Sequence, residues 1–262
     1  MGFSNLLTVL YALVYKSASY RSVPSNVVDS PKAKMTAIAA ICRPGEIVIA
    51  ADSRKLSPTD SAQTLACKIR DLNTLFAAVS GINTYAPTNF DVSQLLPTQM
   101  PNVDIGANLD SLCGSILPPL RLALEHLRND NPDLFQRYAL EKSPMGIKCA
   151  RVQNFVPTLI TLNVDVQVPE NGPLETIPRR SEWPVLGLCD DPFCSFVGTD
   201  EGVAAYLALA ESGELYQGDL VERARGFVQI EIDKQTPEIG GPIDILRLTV
   251  GGASWIQRKA GC

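Results

Sequence analysis

The sequence contains a single histidine, His126, among its 262 residues. A Ser-His-Asp or Cys-His catalytic arrangement would have to use that one imidazole, and metal sites built from several histidines are excluded. His126 lies beside charged residues in LRLALEHLRNDN, whose leucines have helical spacing. We therefore predict a histidine on a solvated helix surface, with no catalytic role.

Clusters of lysine and arginine are also lacking, and the formal net charge is −5. A protein that binds nucleic acid or anionic lipid through a basic surface needs such clusters. The charge pattern argues against both partners and favours small or peptide substrates.

No apolar run is long enough to span a bilayer, which takes about 20 residues. The first 34 residues contain the shorter run LLTVLYALVY, followed by a polar segment whose part from Ser25 to Lys34 is typical of a linker. A secretory signal, a docking segment, a propeptide and untranslated sequence ahead of a misassigned start all remain open, since the residues before the run include no basic side chain. We expect a cytoplasmic protein, or a secreted or periplasmic one if the run is a signal.

The cysteines are not spaced as metal ligands. The one close pair, Cys189 and Cys194, has neither a second pair nor histidines near it. We predict mostly buried free thiols, with a Cys189–Cys194 disulfide as the alternative. The seven cysteines are Cys42, Cys67, Cys113, Cys149, Cys189, Cys194 and Cys262.

Strand pairs dominate the pattern that remains, and 45% hydrophobic residues are enough for one large buried domain. TAIAAIC and IVIAAD flank the turn sequence RPGE, and KIRDL and LFAAVSG follow as a second pair. GIKCARVQNFVPTLITLNVDVQV also predicts strand structure, WPVLGLCDDPFCSFVG contains a further short strand, and GPIDILRLTV and ASWIQ predict a terminal hairpin.

Helical periodicity occurs in three segments between these strands. Leucines from Leu109 to Leu127 predict a helix in one or two pieces, because Pro118 and Pro119 break or kink it. DEGVAAYLALAES predicts a second helix, and DLVERARGFVQIEID a third with Asp219 as its N-cap. This order favours antiparallel sheets covered by helices, an α+β fold.

The segment TAIAAICRPGEIVIAADSR, from Thr36 to Arg54, resembles the amino-terminal sequence of proteasome β subunits and of their bacterial relative HslV. In that family a threonine begins the mature chain and an A-A-D-S-R run closes the first hairpin. The family's catalytic lysine follows its aspartate by an equal step. Here Asp52 follows Thr36 by 16 residues, and Lys68 follows Asp52 by 16. The resemblance implies the four-layer αββα sandwich of N-terminal nucleophile hydrolases, two antiparallel sheets flanked by helices.

The resemblance also implies site residues beyond Thr36, Asp52 and Lys68. FAAVSG is similar to the strand that ends in the family's oxyanion-hole glycine, which is Gly81 after a one-residue gap. Thr199 stands in the turn where the family has a supporting serine.

Two positions depart from the family pattern. In KQTPEIGG, Thr236 stands where the family has an aspartate and Ile239 where it has a serine. Both supports are missing unless Asp233 or Glu238 compensates.

The chemistry explains why Thr36 would have to be a chain terminus. A threonine hydroxyl needs a base, and the α-amine of the same residue can serve only when it is free. Lys68 would disfavour protonation of that amine, and Asp52 would hold Lys68 in place. We therefore predict a removable N-terminal extension over residues 1–35 and an N-terminal nucleophile hydrolase-like domain over residues 36–262. A translation start at Met35 and proteolysis of a propeptide are both open.

Two functions follow from this sequence. The first is an N-terminal-threonine hydrolase that acts on peptide or other amide bonds without a metal or organic cofactor. The second is a catalytically silent subunit of the same fold with an assembly or binding role. The resemblance implies a homo-oligomer in either case.

Overall fold

The structure, a computed structural model, describes residues 36–54, 65–101, 104–140, 143–169, 172–183, 193–198, 219–234 and 239–262. The extension over residues 1–35 and the helix predicted from DEGVAAYLALAES lie outside these residues. Cys189, Thr199, Thr236 and Glu238 also lie outside them. What the sequence predicts for all of these stays a prediction.

Strands make up most of the described chain. They are β1 (Ala37–Arg43), β2 (Glu46–Ala51), β3 (Ile69–Asp71), β4 (Phe76–Gly81), β5 (Thr84–Tyr85), β6 (Phe90–Asp91), β7 (Met145–Gln153), β8 (Val156–Gln167), β9 (Glu175–Trp183), β10 (Phe193–Gly198), β11 (Asp244–Thr249) and β12 (Gly252–Gln257). Sheet I has the order β10-β1-β2-β11-β12, sheet II has the order β3-β4-β7-β8-β9, and β5 pairs with β6. All neighbouring strands are antiparallel.

The helices of the described chain are α1 (Val92–Leu95), α2 (Ile105–Asp130), α3 (Pro132–Phe135) and α4 (Leu220–Asp233). A 3₁₀ turn covers Ala86–Thr88, and a π-helical turn covers Gln136–Leu140. None of these helices has the length and apolar composition that a membrane span requires.

Helix α2 continues through Pro118 and Pro119 as one piece. Each proline removes a hydrogen bond to the carbonyl four residues earlier, at Gly114 and at Ser115. Both of those residues are exposed, so water can reach the freed carbonyls, whereas the buried side of the helix is apolar. Helix α4 buries Leu220, Ala224, Phe227, Val228 and Glu231, the stripe predicted from the sequence.

Three apolar clusters define four layers. Residues of α2 pack on strands β4, β7 and β8 of sheet II. Residues of α4 pack on β1, β2 and β11 of sheet I. The third cluster joins the other faces of the two sheets and includes Ile38 and Ile49 of sheet I with Ala78 and Leu159 of sheet II. The predicted α+β fold, a sandwich of two antiparallel sheets flanked by helices, is therefore confirmed.

The predicted strand pairs are also confirmed. Strands β1 and β2 join through Pro44 and Gly45, whose φ of +76° suits glycine. Strand β9 was not predicted, because its sequence ETIPRRSEW is polar and contains a proline. It lies at the edge of sheet II, where Pro178 and charged side chains are tolerated.

A disulfide joins Cys67 to Cys262, whose Cα atoms are 5.6 Å apart. The prediction of free thiols is therefore wrong for these two cysteines. It is correct for Cys42, Cys113 and Cys149, of which Cys42 and Cys149 are buried. The 195 residues that separate the pair leave no spacing signal in the sequence, since only the fold brings the two together.

Candidate active site

The first hairpin places Thr36 beside Asp52. Thr36 immediately precedes β1, Asp52 immediately follows β2, and the register pairs Ile38 with Ala51. The next step along this ladder is a hydrogen bond of 3.0 Å from the Asp52 N–H to the Ala37 carbonyl. An antiparallel pair with a two-residue turn therefore brings together two side chains 16 residues apart.

Lys68 reaches both residues from the other sheet. It precedes β3, and its Nζ donates to Thr36 Oγ1 at 3.0 Å and to Asp52 Oδ1 at 2.6 Å. All three residues are buried, with 3% of Lys68 exposed and none of Thr36 or Asp52. The threonine, aspartate and lysine named by the sequence are therefore in direct contact.

Main-chain donors fix the Asp52 carboxylate. Oδ1 accepts from the Ala37 N–H at 2.9 Å, in addition to Lys68. Oδ2 accepts from the N–H groups of Arg54 at 3.2 Å and Gly240 at 3.1 Å. A buried carboxylate with four donors is well satisfied and holds one orientation. Gly240 belongs to the IGG sequence before β11, so this segment supports the site through its backbone.

Burial lowers the pKa of Lys68 below its ordinary value of 10.5. The attraction and hydrogen bond of Asp52 act in the opposite direction, while the charges of Lys259 and Arg54 lower the pKa further. Lys68 is therefore an amine that loses its proton more readily than an exposed lysine and still donates to two oxygens.

Gly81 is the last residue of β4, the strand next to Lys68. The Val79 N–H donates to the Lys68 carbonyl at 3.1 Å, and the Ile82 N–H to the Pro144 carbonyl at 2.8 Å. Gly81 has a φ of +92°, and a Cβ there would lie 2.9 Å from the Cα of Met145. Only glycine fits this backbone, whereas its role as an oxyanion donor stays a prediction.

A cavity of about 210 Å³ opens beside Lys68. Its walls come from the segment that precedes β3, from β4 and from the turn that leads into α1. The lining residues include Cys67, Lys68, Val79, Asn83, Asp91 and Val92. A substrate group bound there would lie next to the lysine that contacts Thr36.

The end of the chain also contacts this region, which the sequence analysis missed. Ser53, next to Asp52, donates through Oγ to the Pro242 carbonyl at 2.6 Å. Asp244 is buried and accepts the Lys259 N–H at 2.8 Å. The disulfide attaches Cys262 to the residue before Lys68. The sequence held one signal for this contact, Cys67, which adjoins the predicted catalytic lysine.

Two of the residues singled out by the departure from the family pattern, Ile239 and Asp233, lie within the described chain. Ile239 is buried in the cluster under α4. Asp233 is exposed at the end of α4 and accepts from Gln229 Nε2 at 2.7 Å.

His126 lies on α2, as predicted, and pairs with Asp130 at 2.7 Å. Within the described ranges, no three His, Cys, Asp or Glu side chains form a group that could hold a metal ion.

Comparison with known proteins finds a likeness among solved structures. No family model matches the sequence, and no curated protein matches it. Among solved structures, the chain is similar to Thiobacillus denitrificans BPH in complex with epoxomicin, at 15% identity and a TM-score of 0.43, over 82% of this chain and 99% of that one.

Proposed function

We propose that this protein is an N-terminal-threonine hydrolase that cleaves peptide or other amide bonds, with Thr36 Oγ1 as the nucleophile. The observation that supports this most is the contact of one buried amine, Lys68 Nζ, with both Thr36 Oγ1 and Asp52 Oδ1. A buried threonine in a purely structural role does not require a buried ion pair beside its hydroxyl, and burying such a pair is costly.

Lys68 and the α-amine have separate tasks in this mechanism. Because Lys68 donates to Oγ1, it stabilises the negative charge that develops there as the hydroxyl proton leaves. The free α-amine of Thr36 accepts that proton, Oγ1 bonds to the substrate carbonyl carbon, and the proton passes to the departing amine. Water then cleaves the acyl ester and restores the hydroxyl.

The remaining roles are assigned by resemblance. Gly81 would donate its N–H to the oxyanion, and Thr199 would support the nucleophile through its hydroxyl. The cavity beside Lys68 would take the substrate side chain on the acyl side of the scissile bond.

The test has two parts, both performed on protein expressed from Met1. Intact-mass measurement should give a mature chain that begins at Thr36, because an amide nitrogen joined to Met35 cannot act as a base. The mature protein should then gain the mass of an epoxyketone electrophile, which bonds to both the hydroxyl and the amine of a terminal threonine. Thr36→Ala should lose the adduct.

Retention of residues 1–35 together with absence of an adduct would contradict the proposal. That pair of results would favour the silent subunit, whose support in the sequence is the loss of the aspartate and serine at positions 236 and 239.

A further inference from the structure

The cavity beside Lys68 is lined by the buried amide of Asn83. Asn83 is 9% exposed and lines the cavity. Its Nδ2 has no hydrogen-bond acceptor in the part of the chain that the structure describes. A buried N–H donor that loses its bond to water is costly unless a ligand or an ordered water restores the bond.

Backbone contacts hold Asn83 in this position. Its carbonyl accepts from the Val92 N–H at 3.0 Å, which joins two walls of the cavity. Ile82, the preceding residue, is held by the Pro144 carbonyl. The amide is therefore presented by main-chain bonds that do not depend on its side chain, on the same segment as Gly81.

Both signs of charge line the same cavity. Lys68 and Arg70 are cationic, and Asp91 is anionic. Asp91 Oδ1 accepts from the Ser93 N–H at 2.9 Å and from Ser93 Oγ at 2.7 Å. An acidic substrate side chain would meet Asp91, and a basic one would meet Lys68 and Arg70. The lining therefore favours a polar group without net charge.

We propose that Asn83 selects substrates with a carboxamide side chain, glutamine or asparagine, on the acyl side of the scissile bond. A carboxamide presents an oxygen to Nδ2 and an N–H group to Oδ1, so the two amides can form a pair of hydrogen bonds. This pairing works for either orientation of the Asn83 amide. The inference rests on the proposed hydrolase function and names the substrate class for it.

The size of the cavity agrees with this substrate class. A cavity of about 150 Å³ in another protein accepts benzene. The volume of about 210 Å³ here therefore suits one side chain of medium size, such as glutamine. An aliphatic side chain of the same length would fit but would leave Nδ2 unpaired.

The experiment compares four peptide substrates that differ only in the residue before the scissile amide: glutamine, norleucine, glutamate and lysine. The mature protein obtained from the full chain is assayed for kcat/KM on each. We expect glutamine to exceed norleucine by at least about tenfold, because a site with a buried donor rejects an analogue that cannot accept from it. Glutamate and lysine should be poorer than glutamine.

Two variants test whether Asn83 causes the preference for glutamine over norleucine. Asn83→Leu should bring the two substrates to about the same kcat/KM, lowering glutamine and raising norleucine, because the unpaired donor is removed while the backbone bond to Val92 stays. Ser93→Ala is the matched control, because that hydroxyl is already bonded to Asp91, and it should preserve the ratio. The melting temperature of each variant checks the fold.

The outcomes separate the two proposals. Cleavage with equal rates for glutamine and norleucine overturns the inference about Asn83 and leaves the hydrolase function intact. A glutamine preference that survives Asn83→Leu also overturns it. Absence of cleavage together with absence of a Thr36 adduct overturns both.

Discussion

Lys68 is the residue on which the candidate site depends. Its amine is almost fully buried, between a carboxylate that favours its charged form and a hydroxyl to which it donates. Desolvation alone would favour the neutral amine, so Asp52 decides whether the charge is retained. In the proposed mechanism, the Lys68–Asp52 pair therefore affects both the free energy of unfolding and the activation of the Thr36 hydroxyl.

Lys68→Met should abolish hydrolysis and also weaken the fold. We expect a loss of at least about 100-fold in kcat/KM, because the donor to Oγ1 disappears. The free energy of unfolding should fall by about 3 kcal/mol, since Asp52 loses its cation while keeping its main-chain donors. Urea denaturation and a peptidase assay measure the two effects.

Lys148→Met serves as the control, because Lys148 is also a buried lysine but donates to Thr161 Oγ1 rather than to the site. It should keep activity. Equal losses of activity in Lys68→Met and Lys148→Met would contradict a specific role of Lys68 in the reaction.

Lys148 itself should make stability depend on pH. Burial lowers its pKa to about 7 from 10.5. Between these two values the unfolded chain binds the proton more readily, so this residue makes the free energy of unfolding rise as pH increases through that window. The full effect is at most about 5 kcal/mol.

The comparison with Lys148→Met isolates this contribution. The variant should be stabilised most relative to the parent near pH 7, and the difference should shrink towards pH 10. Urea denaturation across this range measures it. A difference that does not change with pH would contradict the lowered pKa.

At the scale of elements, the site lies where strand ends from both sheets meet. The start of β1 and the end of β2 supply Thr36 and Asp52, and the residue before β3 supplies Lys68. Strand β4 supports Lys68 through Val79 and ends at Gly81, where it meets β7. Side chains at strand ends can be placed accurately because the ladders fix their register.

Gly81→Ala should test how tightly this strand end is built. A φ of +92° is unfavourable for alanine, and a Cβ at this position would collide with the Pro144 backbone. Gly45 is the matched control, because its φ of +76° is also positive but the space around it is open.

Gly45→Ala should cost about 1 kcal/mol of unfolding free energy from backbone strain alone. Gly81→Ala should cost clearly more, because the collision adds to the strain. Chemical denaturation of both variants measures the difference, and equal losses would mean that Pro144 moves away freely.

At the scale of the whole molecule, the disulfide ties residue 262 to the segment that carries Lys68. Disulfides persist mainly in oxidising compartments. We therefore predict that the pair is oxidised in the native protein if the secreted or periplasmic alternative holds, and reduced if the protein is cytoplasmic. Thiol alkylation of protein from its native source, before and after reduction, determines whether the pair is oxidised there.

Cys262→Ser should lower stability by about 2–4 kcal/mol, because the bond closes a loop of 195 residues. It should also reduce activity, since Cys67 adjoins Lys68. Cys113→Ser, which removes a free and half-buried thiol, should change neither property by a similar amount. Unaltered stability in Cys262→Ser would show that the bond adds nothing to the fold.

Assembly is the remaining whole-molecule prediction. Light scattering should give a mass several times that of the 28.3 kDa chain, as the family resemblance implies. A monomer at micromolar concentration would contradict the expected homo-oligomer.

Local signals in the sequence were sufficient for most of the sandwich. Apolar runs, the Pro44-Gly45 turn and helical leucine spacing depend on neighbouring residues, so they predicted the strand pairs, α2 and α4. The equal steps from Thr36 to Asp52 and from Asp52 to Lys68 predicted, through resemblance, three residues that the structure brings into contact. The strand and helix signals are local, because each acts within a hairpin or a helix.

Tertiary structure alone decided the contacts between distant segments. These are the Cys67–Cys262 bond, the support of Asp52 by Gly240, and the placement of Asn83 Nδ2 in a cavity where it has no acceptor among the described residues. No periodicity or spacing encodes them. The disulfide depends on how the two sheets stack, and the contact of Gly240 with Asp52 depends on which strands are neighbours within sheet I. The polar edge strand β9 was missed for a related reason, since its pairing with β8 outweighs a sequence that disfavours strands.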